Sequence, residues 1–130
     1  MRELFRGVTY AMHSQVALID AEADSYPQWE TGEEPAVFGA HGVAVTTAND
    51  EDVEIIVCAG DKLTGYLECA RGEIEVGHQG VLVGGILTEH DTFAVSWPPG
   101  PVAITIYVDA PRREARTIVF VLQEPSPVSR

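Results

Sequence analysis

Carboxylates are the side chains most able to do chemistry in this chain. The formal net charge is −12, from 20 Asp and Glu residues against eight Lys and Arg residues. No Lys or Arg lies between Arg6 and Lys62, and that interval holds eleven of the acidic residues. Such a field attracts a cationic protein or a metal ion. It disfavours direct binding of nucleic acid, which requires a basic surface.

The acidic residues of interest form two groups. The first group is Asp20, Glu22, Asp24, Glu30, Glu33 and Glu34, and the second is Asp50, Glu51 and Asp52. The alternation that begins at Asp20 resembles the start of an EF-hand loop, but Ser25 replaces the required Gly and Thr31 replaces the bidentate Glu. A calcium site shared by the two groups stays open, because a hard cation takes several carboxylate oxygens at once. A solvated acidic surface that keeps the protein soluble is the simpler interpretation.

Trp29 lies inside the first acidic group, in the segment Tyr-Pro-Gln-Trp-Glu. A Trp side chain usually anchors either a core or an interface, because its exposure to water is unfavourable. One interpretation is therefore a loop attached to the domain by a buried indole. The other is an aromatic anchor surrounded by acids, which suits a basic cleft built for phosphates, because carboxylates can occupy the positions that Arg and Lys offer to phosphate.

No catalytic or metal-binding signature accompanies these carboxylates. The four histidines, His13, His41, His78 and His90, are scattered singly, and the chain has no Cys-x-x-Cys. No Gly-x-Ser-x-Gly elbow is present. The sequence therefore predicts no catalytic residue, no metal ligand and no cofactor, and favours a protein that is not an enzyme.

The two cysteines lie symmetrically about a predicted turn. Cys58 and Cys69 are equally distant from the midpoint between Leu63 and Thr64, so a hairpin centred there would place them on opposite strands. A cross-strand disulfide is geometrically allowed in that register. Two reduced thiols are the prediction for a cytosolic protein.

Short β-rich segments separated by Gly and Pro dominate the chain. Residues 102–108 alternate between apolar and polar types, as in a half-buried strand, and residues 117–122 form a continuous apolar run, as in a central strand. The predicted strands are residues 15–20 (with 8–12 as a bent start), 42–47, 53–59, 64–70, 73–76, 81–86, 92–97, 102–108 and 117–122. The predicted core includes Val16, Leu18, Val45, Ile56, Leu67, Leu82, Phe93, Val95, Ile104, Ile106, Val119 and Val121.

This spacing predicts one all-β domain over residues 1–130, with little helix. The architecture is an antiparallel β-sandwich of about eight strands, C2-like or jelly-roll-like. The connection over residues 21–39 is too long for a simple hairpin, and loops of that length tend to be functional or disordered. No apolar run reaches the length of a membrane helix and no signal peptide is evident, so the predicted location is the cytoplasm, without membrane association.

The order of these features resembles the competence protein J family of nuclease inhibitors. An opening β segment carries Gln15, an acidic loop with Trp29 follows, Gly42 opens a strand, and a strand–Pro-Gly–strand unit surrounds Gly100. The likeness covers roughly residues 8–122. It implies a cytosolic β-sandwich that binds and silences a nuclease in the producing cell, as immunity proteins do beside secreted toxins. The chain departs from it at Gly32 and the residues after it, where a more helical continuation is expected.

The resulting functional prediction is an inhibitor or immunity protein that binds a basic nuclease or toxin and blocks its substrate cleft. Its predicted contact residues are both acidic groups together with Trp29. The alternative is a C2-type module that binds calcium or a small ligand through the same acidic loops.

Overall fold

A computed structural model describes residues 1–85 and 92–124 of the chain. Within these residues, ten strands form two sheets of five. Their bounds are β1 Arg2–Ala11, β2 Gln15–Asp20, β3 Ala36–Phe38, β4 Gly42–Thr46, β5 Glu51–Ala59, β6 Leu67–Val76, β7 Val81–Gly84, β8 Thr92–Val95, β9 Gly100–Val108 and β10 Thr117–Leu122. Sheet A has the order β1-β5-β10-β9-β6, and sheet B has the order β3-β4-β2-β7-β8.

The all-β sandwich is confirmed, although three details of the strand count differ. Strand β3 was not predicted. Residues 8–12 do not begin the first strand of sheet B, because residues 8–11 end β1, a separate strand of sheet A, and a 3₁₀ turn at Met12–Ser14 then carries the chain to β2. The predicted strands 64–70 and 73–76 are one strand, β6. Of the predicted strand 81–86, residues 81–84 form β7, whereas Ile86, like His90, lies outside the described residues.

Strand β10 is the centre of sheet A, as its apolar run predicts. It pairs antiparallel with β9 and parallel with β5, which makes β5–β10 a parallel pair in an otherwise antiparallel sheet. Its inward side chains, Ile118, Phe120 and Leu122, join the core between the sheets. Val119 and Val121 are buried on the outer face, so the strand is covered on both faces.

Each sheet also buries a small apolar cluster on its outer face. On sheet A the cluster is Ile56, Cys58, Tyr107, Val119 and Val121, covered by Leu63 from the β5–β6 connection. On sheet B it is Ala17, Ile19 and Ala44, covered in part by Tyr26 and Trp29 from the β2–β3 connection. The prediction that Leu67 belongs to the core is wrong, because its side chain is 51% exposed at the start of β6.

The predicted pairing of Cys58 with Cys69 is also wrong. Strands β5 and β6 do not form a hairpin, because β10 and β9 lie between them in sheet A. Three strand spacings correspond to about 14 Å, well beyond disulfide reach. Cys58 belongs to the outer cluster, whereas Cys69 packs against the inner core, and both thiols are free. Burial raises the pKa of each thiol, which keeps it protonated.

In the part of the chain that the structure describes, no helix is long and apolar enough to cross a membrane.

Candidate functional site

Among the described residues, four connections meet at one end of the sandwich, which we call the loop end. They are the β1–β2 turn (residues 12–14), the end of the β2–β3 connection (residues 29–35), the β4–β5 connection (residues 47–50) and the β9–β10 connection (residues 109–116). Backbone N–H groups and a hydroxyl join them: Thr47 N–H to Ser14 C=O at 2.8 Å, Asp50 N–H to Ala11 C=O at 2.9 Å, Ala48 N–H to Ala115 C=O at 2.9 Å, and Thr46 Oγ1 to Glu34 C=O at 2.7 Å. These bonds fix the four connections relative to one another.

The first acidic group is divided between the two ends of the sandwich. Asp20 ends β2, about 17 Å along the extended strand from Gln15, which lies at the loop end. Asp20 is only 6% exposed, and its Oδ1 accepts the N–H of Gly77 at 3.1 Å and of Glu22 at 3.4 Å. Its carboxylate therefore serves the fold, and Asp20 and Glu22 lie at the opposite end of the sandwich from Glu30, Glu33 and Glu34.

This division removes the shared calcium site that the sequence left open. Asp20 and Glu22 lie at one end, and the group Asp50, Glu51 and Asp52 lies at the other. Among residues 1–85 and 92–124, no three His, Cys, Asp or Glu side chains are arranged to hold a metal ion. Within the described residues, these two acidic groups do not converge in the way that a C2-type calcium site requires.

Trp29 attaches the end of the β2–β3 connection to sheet B. Its indole is half-buried against the outer apolar cluster, and Nε1 donates to Oε1 of Gln15 at 3.1 Å. The hydroxyl of Tyr26 lies 3.4 Å from the same oxygen, and burial raises the pKa of Tyr26 to about 12. The indole also lines a cavity of about 180 Å³ beside His13 and Arg113, so part of it faces outward at the loop end. Its position thus supports the interpretation of a loop attached to the domain by its indole, and the role of Trp29 as an interface anchor stays a prediction.

Glu34 organises the tip of this connection. Its Oε2 accepts the backbone N–H of Glu30 at 2.9 Å, and its Oε1 accepts the N–H of Gly32 at 2.9 Å and the hydroxyl of Thr31 at 3.0 Å. Bonds from its own backbone N–H and from that of Glu30 lower the pKa of Glu34 to about 2. The segment Gly-Glu-Glu-Pro, where the family resemblance predicted a more helical continuation, is therefore a turn closed by a carboxylate.

We expect the order of this turn to depend on pH through Glu34. Because the folded pKa of about 2 lies below the ordinary value of 4.5, the bonds stabilise the turn fully above pH 4.5 and are lost as the pH falls through 2. The amide proton resonances of Glu30 and Gly32 should titrate with a midpoint near pH 2 when followed by NMR. In Glu34→Gln these two resonances should lack that transition. A midpoint near 4.5 in the unmodified protein would contradict the closed turn.

The remaining predicted contact residues lie exposed at or beside the loop end. Glu30, Glu33, Asp50 and Asp52 are exposed, and none forms an ion pair with another described residue. Glu51 differs, because its carboxylate pairs with Arg116 at 2.7 Å. Asp24 is exposed in the connection that crosses sheet B. The structure therefore places the carboxylates of Glu30, Glu33, Asp50 and Asp52 at or beside the loop end, where Trp29 also lies.

Arginine side chains also lie at the loop end, and the sequence did not show that they would be close to the acidic turn. Arg112 and Arg113, in the 3₁₀ turn Arg112–Glu114, are exposed and line a cavity of about 370 Å³ with Gly32, Glu33 and Thr46. Neither arginine has an ion-pair partner among the described residues. The sequence shows the arginines clustered after β9, but only the packing of the β9–β10 connection against β4 places them beside the acidic turn. The loop end is therefore mixed in charge.

Backbone strain is also concentrated at the loop end. Non-glycine residues with positive φ in the described chain are His13 at 60°, Ser14 at 59°, Asp50 at 54° and Arg112 at 47°. All four lie in the loop-end connections, and each conformation costs free energy that the surrounding structure must offset. Strain of this kind clusters at functional sites. It could not be predicted from residue types, since none of these positions is a Gly.

The comparison with solved structures identifies the fold. The chain is similar to ComJ from Bacillus subtilis, an inhibitor of the DNA degrading activity of NucA, with a TM-score of 0.73 and 10% identity over 95% of this chain and 98% of that one. It is also similar to a protein described as crocagin biosynthetic gene J, with a TM-score of 0.59 and 9% identity over 93% and 96% of the two chains. No family model and no curated protein sequence matches the chain. At these identities the likeness shows a shared fold, and it confirms at that level the resemblance to the competence protein J family.

Proposed function

We propose that this protein is an inhibitor that binds a basic nuclease and blocks its substrate cleft with the loop end. One observation carries the proposal: the chain has the fold of an inhibitor of a DNA-degrading nuclease over nearly its whole length. The exposed carboxylates of Glu30, Glu33, Asp50 and Asp52 at or beside a single end support it, because a nuclease must present positive charge to hold DNA.

The geometry suits substitution of carboxylates for phosphates. Glu30 and Glu33 project from a turn that Glu34 closes and Trp29 attaches to sheet B. A turn held in place before binding loses little conformational entropy on association, which favours affinity. In the complex, we expect Arg and Lys side chains of the nuclease to pair with these carboxylates instead of with DNA.

On this proposal the chain acts by binding alone, in one domain and in the cytoplasm of the producing cell, where the nuclease would otherwise reach its DNA. It requires no cofactor. The partner is a protein, and neither nucleic acid nor membrane is contacted directly.

Capture followed by an inhibition assay tests the proposal. The tagged chain is used to capture proteins from a lysate of its source organism, basic nucleases are identified by mass spectrometry, and each is purified and assayed on double-stranded DNA. We expect at least one to lose its activity at about one equivalent of the chain, and the inhibition to weaken as salt screens the exposed charges. If no captured nuclease is inhibited, the proposed function is wrong.

A further inference from the structure

The outer face of sheet A carries an exposed aromatic side chain next to the loop end. Tyr10 is 41% exposed and Val8 is 57% exposed, both pointing outward from β1. Trp29 is partly used to hold its own loop, whereas Tyr10, like Tyr66 before β6, is an exposed aromatic side chain that is available to act as an anchor. Interfaces of high affinity usually contain such an anchor, with Tyr among the favoured types.

An unpaired carboxylate lies directly across the strand pair from this ring. In the antiparallel register of β1 and β5, Tyr10 is opposite Asp52 and Val8 is opposite Glu54. Side chains opposite each other lie on the same face, with Cβ atoms about 5 Å apart. Tyr10 and Asp52 are therefore immediate neighbours on the outward surface.

The neighbouring carboxylates are already paired, which distinguishes Asp52. Glu54 accepts from Arg6 at 3.1 Å, and Glu51 pairs with Arg116 at 2.7 Å. Asp52 is exposed and has no ion pair with any described residue. A cation that approaches this face meets one free carboxylate beside one open aromatic ring.

This pair of groups fits an arginine side chain. A guanidinium is planar, stacks on an aromatic face, and donates two parallel hydrogen bonds to a carboxylate at its edge. Lysine offers only a compact ammonium, which attracts the ring and the carboxylate without the matching plane. The net charge of −12 draws cationic groups toward the surface as a whole.

We infer that Tyr10 and Asp52 form a binding site for an arginine side chain of the basic partner, which extends the interface from the loop end onto sheet A. The inference rests on the proposed function for the identity of the partner. The preference for arginine rests only on the two side chains and is measured separately.

Titration of the ¹⁵N-labelled protein with hexaarginine amide and hexalysine amide tests the site itself. We expect the amide resonances of residues 8–11 and 51–54 to shift, and hexaarginine to bind about fivefold more tightly than hexalysine. Tyr10→Ala should abolish this preference, and Tyr10→Phe should retain it because the ring remains. Asp52→Asn should weaken binding of both peptides, whereas Glu73→Gln, which removes the same charge from the outer face of β6, should leave the preference intact. The site would be overturned if the unmodified protein bound the two peptides with equal affinity. It would also be overturned if Glu73→Gln weakened peptide binding as much as Asp52→Asn does.

The inhibition assay then separates this inference from the proposed function. Tyr10→Ala should raise the inhibition constant about tenfold and Asp52→Asn about fivefold. The double variant should raise it by less than the product of the two single effects, because the two residues bind the same ligand. If the unmodified chain inhibits and both variants inhibit equally well, the inference is wrong and the proposed function stands. If the protein prefers hexaarginine to hexalysine but inhibits no nuclease, the proposed function is wrong. The inference that a nuclease arginine occupies this site is then wrong as well.

Discussion

Replacement of both Glu30 and Glu33 by lysine is expected to slow association with the nuclease on the order of 100-fold at low ionic strength. Both carboxylates are exposed on the turn that Glu34 closes, and neither forms an ion pair with a described residue, although Glu33 lines a cavity with Arg112 and Arg113. Two reversals change the charge of the loop end by four and turn attraction of a basic cleft into repulsion. Glu34 is left intact, because its carboxylate holds the turn.

The matched control reverses two charges elsewhere. Glu73 and Glu75 are exposed on the outer face of β6, toward the opposite end of the sandwich. The double reversal of these two residues changes the net charge equally, so it reports the effect of overall charge alone. Stopped-flow association rates should separate the variants at low salt and converge at high salt. Equal rates for the two double variants would show that the loop end does not face the nuclease.

Trp29→Ala is expected to weaken binding about 30-fold and to lower the free energy of unfolding by about 2 kcal/mol. Two effects combine, because the indole packs on the outer cluster of sheet B and also lines the cavity beside Arg113. Without the indole, the turn that carries Glu30 and Glu33 is no longer fixed before binding. Association must then order the turn, and the lost conformational entropy lowers the affinity. Calorimetric titration measures the first quantity and urea unfolding the second.

Two further variants separate packing from hydrogen bonding. Trp29→Phe keeps a ring on the outer cluster but loses the bond to Gln15. Gln15→Ala removes that bond and the longer one from the Tyr26 hydroxyl while the indole remains. We expect Trp29→Phe to lower stability by about 1 kcal/mol, the usual contribution of one hydrogen bond, and Gln15→Ala to lower it by at least as much. If Trp29→Ala instead leaves both stability and affinity unchanged, the indole neither fixes the turn nor contacts the nuclease.

Strands whose pattern reflects their own burial could be predicted from the sequence. The alternation of residues 102–108 and the apolar run of residues 117–122 correspond to β9 and β10, since each depends only on which faces are covered. The hairpin predicted around Leu63 failed for a different reason. Residues 60–66 have turn chemistry, but Leu63 packs on the outer face of sheet A, and its N–H reaches the hydroxyl of Tyr107 at 3.3 Å. The connection therefore crosses the sheet and delivers β6 to its far edge.

The negative charge of the site could be predicted from the sequence, but the structural role of each carboxylate could not. Asp20 and Glu34 look like the other acids in the sequence, yet both accept backbone N–H groups and serve the fold. The donor to Asp20 comes from Gly77, 57 residues away, so no local pattern could reveal it. The position of Arg112 next to Glu33 likewise depends on packing between distant connections.

The parallel pair of β5 and β10 has a consequence for synthesis of the protein on the ribosome. Residues 117–122 separate β5 from β9, and nine described strands are translated before them. Until they emerge, sheet A lacks its middle and both neighbouring strands expose unpaired backbone edges, which favour aggregation. Pairing across such a sequence separation also slows folding. The nascent chain therefore completes its sandwich only after β10 leaves the exit tunnel.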